Sequence, residues 1–258
     1  MSRYAIALIV SLGTLTSASG SAAIQTADEV IEKHLAAIGG RAALGKLTTR
    51  RATGTVTITT PGGNITGPIE ISSKAPNKTR ALMKLDLTPL GVTETMVLQQ
   101  KFDGAAAWML NSLQGDTEIT GNQLENMRNS TFPSPLLNYK AADTKVELLA
   151  RATVAGKEYL TLRFTPKTGS AVTMYFDPST YLVMRTAARV NTPEMGDLDN
   201  SSEVSDYRDV AGIKVPFVIV NANSAQAVTI KLDKVEHNVP LDDAIFSAKT
   251  SGVFLRKP

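Results

Sequence analysis

From residue 51 onward, apolar and polar side chains alternate. Val56 and Ile58 are interleaved with Thr53, Thr55, Thr57 and Thr59, the period of two that marks a strand with one buried face. The alternation returns at 65–73, 79–87, 92–102 and 105–110, then in a second series at 146–154, 158–165, 171–176, 181–190, 203–207, 213–220 and 227–236. Short turn signals divide these segments, among them Pro61-Gly62-Gly63, Ala75-Pro76-Asn77, Asp103-Gly104, Ala155-Gly156 and Ala211-Gly212,. Links this short favour antiparallel neighbours, since parallel pairing needs long crossovers. The pattern predicts a mainly β protein with a few helices, built on a curled antiparallel sheet, or unclosed barrel, of about eleven strands.

Two stretches depart from this alternation. Thr26-Ala27-Asp28-Glu29 is a capping box, and Ile31, Leu35 and Ile38 then fall on one helical face before Gly39-Gly40 stops the turn,. A second helical piece over 41–47 leads into the first strand. The other departure is 112–142, with a helix around 123–129 followed by Phe132-Pro133-Ser134-Pro135. Its Leu124, Met127, Phe132, Leu136 and Leu137 are expected to lie across the apolar face of the sheet. Two prolines remove backbone donors there, which suits a hinged lid; a static cap is the alternative.

Alternation also sorts side chains by face. Met83, Leu85 and Leu87 share one, as do Met96 with Leu98, Trp108 with Leu110, Leu160 with Leu162 and Phe164, Val172 with Met174 and Phe176, and Leu182 with Met184. Arg80, Lys84, Asp86, Tyr159, Thr161 and Arg163 fall on the other, expected to be wet. One amphipathic helix and one insertion are little cover for so wide an apolar face, which points to a cavity for an apolar guest. Its expected lining is Met83, Leu85, Met96, Leu98, Trp108, Leu162, Phe164, Val172, Met174, Phe176 and Met184. The unbranched methionines suit an irregular guest. An ordinary dry core is the competing reading.

The first 23 residues change the compartment. Arg3, the apolar run 5–12 and the small residues ending at Ser21-Ala22-Ala23 have the layout of a cleaved secretory leader,. The run is far shorter than the roughly 20 residues needed to cross a bilayer. The expectation is a leader over 1–23, one domain over 24–258 and a periplasmic location with no membrane-spanning segment after cleavage. The 258 residues contain no cysteine, so disulfides, thiolate metal sites and cysteine-linked lipid are excluded. A net charge of +3 is spread among alternating acids and bases, which gives no basic stripe for nucleic acid.

Motifs with chemical potential fail on context. Gly40 to Leu47 has the glycine and lysine spacing of a phosphate loop, but Leu47 replaces the hydroxyl that holds magnesium and the segment follows a helix,. His34 and His237, the only histidines, are far apart in sequence and are expected at the surface. Glu194, Asp197, Asp199 and Glu203 are expected to form a solvated acidic loop without the pattern of a calcium site,. No Gly-x-Ser-x-Gly elbow is present,. Neither a cofactor nor a metal is expected, and the chain is not expected to be an enzyme.

Three stretches carry a resemblance. "ADEVIEKHLAAIGGRAALGKL" at 27–47, "YFDPSTYLVMR" at 175–185 and "DYRDVAGIKVPF" at 206–217 resemble the bacterial family of outer-membrane lipoprotein-sorting-like proteins, related to the periplasmic carriers LolA and LolB. The likeness spans nearly the whole mature chain. It implies a curled sheet with helices over an apolar cavity, acyl chains of a lipid or lipoprotein as guest, and inner- or outer-membrane lipoprotein-transfer partners. The chain is longer than those carriers, and their functional arginine and transfer loop match no particular position here. A lipid-sensing or regulatory protein of the same fold is the second function this resemblance admits.

Overall fold

The capping box forms as its spacing implies. The Thr26 hydroxyl accepts from the Glu29 amide at 3.2 Å, and the Thr26 amide donates to the Glu29 carboxylate at 3.1 Å. These bonds open helix α1 (Ala27–Ala37), and α2 (Arg41–Leu44) follows. The computed structural model describes residues 25–192 and 196–247. The expected leader lies outside these residues, as does Glu194.

Strands β1 (Thr49–Thr60), β2 (Gly63–Lys74), β3 (Lys78–Asp86), β4 (Thr95–Phe102), β5 (Ala107–Asn111) and β6 (Thr117–Ile119) make the first meander. Helix α3 (Gly121–Asn129) follows β6 within the insertion. The second meander comprises β7 (Lys145–Leu148), β8 (Ala152–Val154), β9 (Lys157–Thr165), β10 (Val172–Phe176), β11 (Val183–Thr192), β12 (Gly196–Val210), β13 (Ile213–Ala222) and β14 (Ala227–His237). β14 pairs with β1, which joins the two meanders into one sheet running β6-β5-β4-β3-β2-β1-β14-β13-β12-β11-β10-β9-β7, with β8 beside β9. Every pairing is antiparallel. β6 and β7 end the order without pairing to each other, so the sheet is open.

The described residues form fourteen strands where about eleven were expected. Segment 146–154 breaks into β7 and β8 on either side of Leu149 to Arg151, and β6 is a three-residue strand inside the insertion. The acidic stretch is not a loop: β12 runs through it, with Asp199 opposite Arg189 and Glu203 opposite Arg185. Only its second half, 203–207, carries the alternation; the polar first half has none to reveal it,.

Val56, Ile69, Leu162, Phe176 and Leu232 lie on the inner face, where α1 docks. Val30, Ile31 and Leu35 of α1 are fully buried against Leu160, Leu162, Phe176, Val215, Phe217 and Val235. Each large side chain so buried contributes on the order of 1.5–3 kcal/mol of hydrophobic stabilisation. A second cluster, Val56, Ile65, Ile69, Leu85 and Leu87, fills the inner face of the first meander.

The outer face is only partly wet. After β14 the chain returns across β2 to β4. Lys74 donates to the Leu241 carbonyl and Lys101 to the Ser247 carbonyl, each at 3.2 Å, while Phe246 is wholly buried along with Ser72 and Lys101. Asp243 receives Lys74 at 2.7 Å and Lys78 at 2.8 Å. These two ammonium groups hold its carboxyl at about 2, below the usual value. A depressed carboxylate contributes stability that is present above its unfolded pKa of about 3.9 and is lost as pH falls through the folded value. Acid titration of wild type against Asp243→Asn should therefore show a stability difference that is constant above pH ~4 and shrinks between about 4 and 2. A difference independent of pH would refute the pairing.

Candidate functional site

The three stretches that carried the resemblance meet beneath α1. Asp177 caps its own turn, accepting from the Ser179 and Thr180 amides at 2.9 and 2.8 Å. The turn presents the Tyr181 carbonyl to His34 Nδ1 at 2.8 Å. From the third stretch, Tyr207 donates to the Val183 carbonyl at 2.6 Å, and the Lys214 amide donates to the Ile38 carbonyl at 3.1 Å. Burial raises the Tyr207 pKa and keeps the phenol a donor. These motifs are the seat of the helix on the sheet, which is why they carry no catalytic signature.

The insertion bridges the open side of the sheet. Leu124 and Met127 of α3 pack on Phe102, Ala107 and Ile119. Polar groups of α3 reach the β9–β10 turn: Asn129 donates to the Thr168 carbonyl at 2.8 Å, and Asn126 accepts from the Ser170 amide at 2.8 Å. Beyond α3, the Phe132 amide donates to the Pro76 carbonyl at 2.7 Å. Leu136 and Tyr139 are then buried in the core under α1, and Asp28 of α1 receives Tyr139 and, at 2.5 Å, Lys140. Those bonds from Lys140 and Tyr139 hold the Asp28 pKa below its ordinary value.

Under this strap lies an apolar cavity of about 380 Å³. Phe164, Val172, Met174, Thr186 and Ala188 form its sheet side, and Pro135, Leu136 and Tyr139 its roof. The volume falls within the range of small-molecule sites. A hollow of about 350 Å³ shares Val172, Thr186 and Ala188 with it and continues to polar residues Asn200, Ser202, Asn221 and Gln226. Another hollow, about 470 Å³, is on the outer face between Arg163, Thr173, Arg185 and Asp199. It is open and lined by charge, so it is the wrong chemistry for an apolar guest.

The expected lining residues do not all meet. Phe164, Val172 and Met174 do, with Leu136 above them. Leu162 and Phe176 lie deeper in the same face, fully buried. Met83, Leu85 and Met96 belong to the second core cluster, and Leu98 faces Met83 beside it; none of the four lines these cavities. Met184 sits where the β10–β11 register slips, so that Val183 opposes Phe176. Trp108 is a correction. Phe102 pairs with Ala107, and Lys101 with Trp108, so Ala107 and Met109 point inward and Trp108 outward with Leu110. Four consecutive apolar residues gave the alternation no phase.

Both histidines are also corrections. His34 is 6% exposed because it shares the inner helical face with Val30 and Ile31, and its ring meets Phe176 edge-on at 5.3 Å. Both ring nitrogens of His237 are buried without a hydrogen-bond partner. Burial lowers the pKa of each imidazole. With Arg50 they line a smaller cavity of about 190 Å³. No sequence signal joins Arg50 to His237, which the β1–β14 register sets side by side.

No protein-family model matches the sequence, and no curated protein matches it. Solved structures do share its fold. A candidate outer membrane lipoprotein-sorting protein domain from Vibrio parahaemolyticus superposes with a TM-score of 0.55 at 11% identity, over 84% of this chain and 94% of that one. A LolA superfamily protein from Nitrosomonas europaea gives 0.54 at 14% identity, over 87% and 98%. A DUF1329 family protein from Desulfovibrio piger gives 0.55 at 14%, over 86% and 97%. The open sheet with its covering helices is thus the fold of LolA superfamily proteins.

Proposed function

We propose that this protein is a periplasmic carrier that shields the acyl chains of a lipid or lipoprotein during transfer between membranes. The observation that carries this reading is the apolar cavity between the strap and Phe164, Val172 and Met174. The fold it shares with LolA superfamily proteins supports it. Among the described residues, no helix is long and apolar enough to cross a membrane, and no group of three or more His, Asp or Glu side chains is placed to hold a metal. On this reading residues 1–23 are a leader removed near Ile24, and the protein binds its guest without transforming it. Mass spectrometry of the protein purified from the periplasm should find an acylated molecule and a mature N-terminus near Ile24. Intact Met1 in a membrane fraction would sink the soluble-carrier reading.

The cavity itself is testable by substitution. Met174→Ala removes part of its apolar wall and should weaken displacement of a fluorescent fatty acid about fivefold, the equivalent of roughly 1 kcal/mol of lost apolar contact. Its stability cost should stay below about 3 kcal/mol. Arg163→Ala, on the outer face opposite Thr173, should leave binding unchanged. Equal losses from both substitutions would place the guest elsewhere.

A further inference from the structure

We propose that Arg50 and His237 form a headgroup site for an anionic amphiphile, taking a carboxylate or phosphate whose chain lies in the apolar cavity. This rests on the carrier reading and specifies its cargo. Arg50 and His237 are direct cross-strand partners on β1 and β14, so their side chains leave one face about 5 Å apart. Both line the cavity of about 190 Å³ beside the strap. Its other walls are chiefly apolar, including Leu47, Phe132 and Val183, and no acidic side chain lines it. Pro135 is a wall of both this cavity and the larger one.

The polar groups here are unsatisfied in a way the fold does not require. The Arg50 guanidinium has no hydrogen bond or ion pair among the described residues; the Phe132 ring centroid lies 5.5 Å from it. Burial alone acts on the guanidinium, pushing the pKa down. Neither nitrogen of the His237 ring has a partner, and burial first, then the positive charge of Arg50, hold that ring toward its neutral form. A half-buried cation with no counter-ion, beside an imidazole whose two nitrogens are buried bare, is a costly arrangement for packing alone,. An anion would answer both: guanidinium presents a planar fork to two oxygens, and imidazole adds a third donor. A bare inorganic anion would leave the apolar walls unused, which is why the headgroup of an amphiphile is the better fit.

The test uses the mature chain freed of lipid, with hexadecanoate, hexadecyl phosphate and the uncharged hexadecanol competing against a fluorescent fatty acid. Wild type should favour the two anions over hexadecanol by roughly 10- to 100-fold, the range of a charge-assisted hydrogen bond. Arg50→Gln should bring that ratio to within about twofold without changing hexadecanol affinity. Arg50→Lys should keep part of it, and His237→Gln should lower it with the thermal midpoint retained. The His237 ring resonances should shift on adding hexadecanoate and not hexadecanol. Equal affinity of wild type for all three compounds overturns the headgroup site and leaves the carrier reading intact. Failure of all three to bind overturns both. Inorganic phosphate alone saturating the His237 shift and displacing no lipid would assign the pair to a free anion, and overturns the proposal as well.

Discussion

Gly67→Ala will lower the stability of this protein by about 3 kcal/mol or more, the upper range for overpacking, although it adds one methyl group to a strand. A Cβ at Gly67 would lie 1.8 Å from the Lys84 carbonyl oxygen and 2.8 Å from its carbon. Both are backbone atoms of the paired strand β3, so no rotamer change can make room. Gly67 faces Val56 on β1, and on that strand a Cβ at Gly54 would meet the Lys231 carbonyl at 2.1 Å, next to the slip in the β1–β14 register. Two adjacent strands thus approach their outer neighbours too closely for any side chain on the inner face, as glycines in curved sheets allow,. Gly62→Ala is the control. Its added methyl would find only the Thr60 hydroxyl, at 3.7 Å, and should change stability by no more than about 0.5 kcal/mol. Urea denaturation of the three proteins decides; a Gly67→Ala midpoint equal to wild type would mean the coil does not depend on this approach.

The strands, their antiparallel order within each meander and the first helix were legible because each rests on local chemistry. Alternation gives a face, Asp103-Gly104 and Ala211-Gly212 give turns, and Thr26 with Glu29 gives a cap. What was not legible depends on pairing across long separations. The β1–β14 junction joins residues 168 to 187 positions apart, and it alone brings Arg50 to His237. Phase failed where the sequence is monotonous, in the run from Ala107 to Leu110, and Trp108 was placed on the wrong face. It failed again in the polar first half of β12, ahead of 203–207, where alternation has nothing to alternate. The site divides in the same way. Phe164, Val172 and Met174 lie on one hairpin and could be grouped by period, whereas Met83, Leu85 and Met96 have the same period on a face that packs against its own neighbours. Period reports which face is apolar and does not report what covers it.

The strap over residues 121–140 will exchange its amide hydrogens faster than β1 and β14 when the cavity is empty, and a bound acyl ligand will slow it. The Phe132 amide is the reporter, since its bond to the Pro76 carbonyl crosses from the strap to the β2–β3 turn. Most polar ties holding the strap are on the surface. Lys140 and Asp28 keep 69% and 55% of their side-chain exposure, and Arg41, which donates to the Leu137 carbonyl at 2.9 Å, is exposed too. Exposed pairs of this kind contribute at most about 1 kcal/mol each, so the main resistance to opening is the burial of Leu136 and Tyr139, roughly 1.5–3 kcal/mol apiece, with smaller contributions from the half-buried Leu124, Met127 and Phe132. That sum lies below the cost of unfolding a whole sheet of this size. If the strap must open to release its guest, ligand at about 100 times its dissociation constant slows strap exchange roughly 100-fold. Tyr139→Phe, which removes a bond to Asp28 and little apolar area, should speed Phe132 exchange in the empty protein while the Val56 and Leu232 amides keep their rates. Exchange of Phe132 as slow as that of Val56, with or without ligand, would make the strap a fixed cap and require the guest to enter by another route.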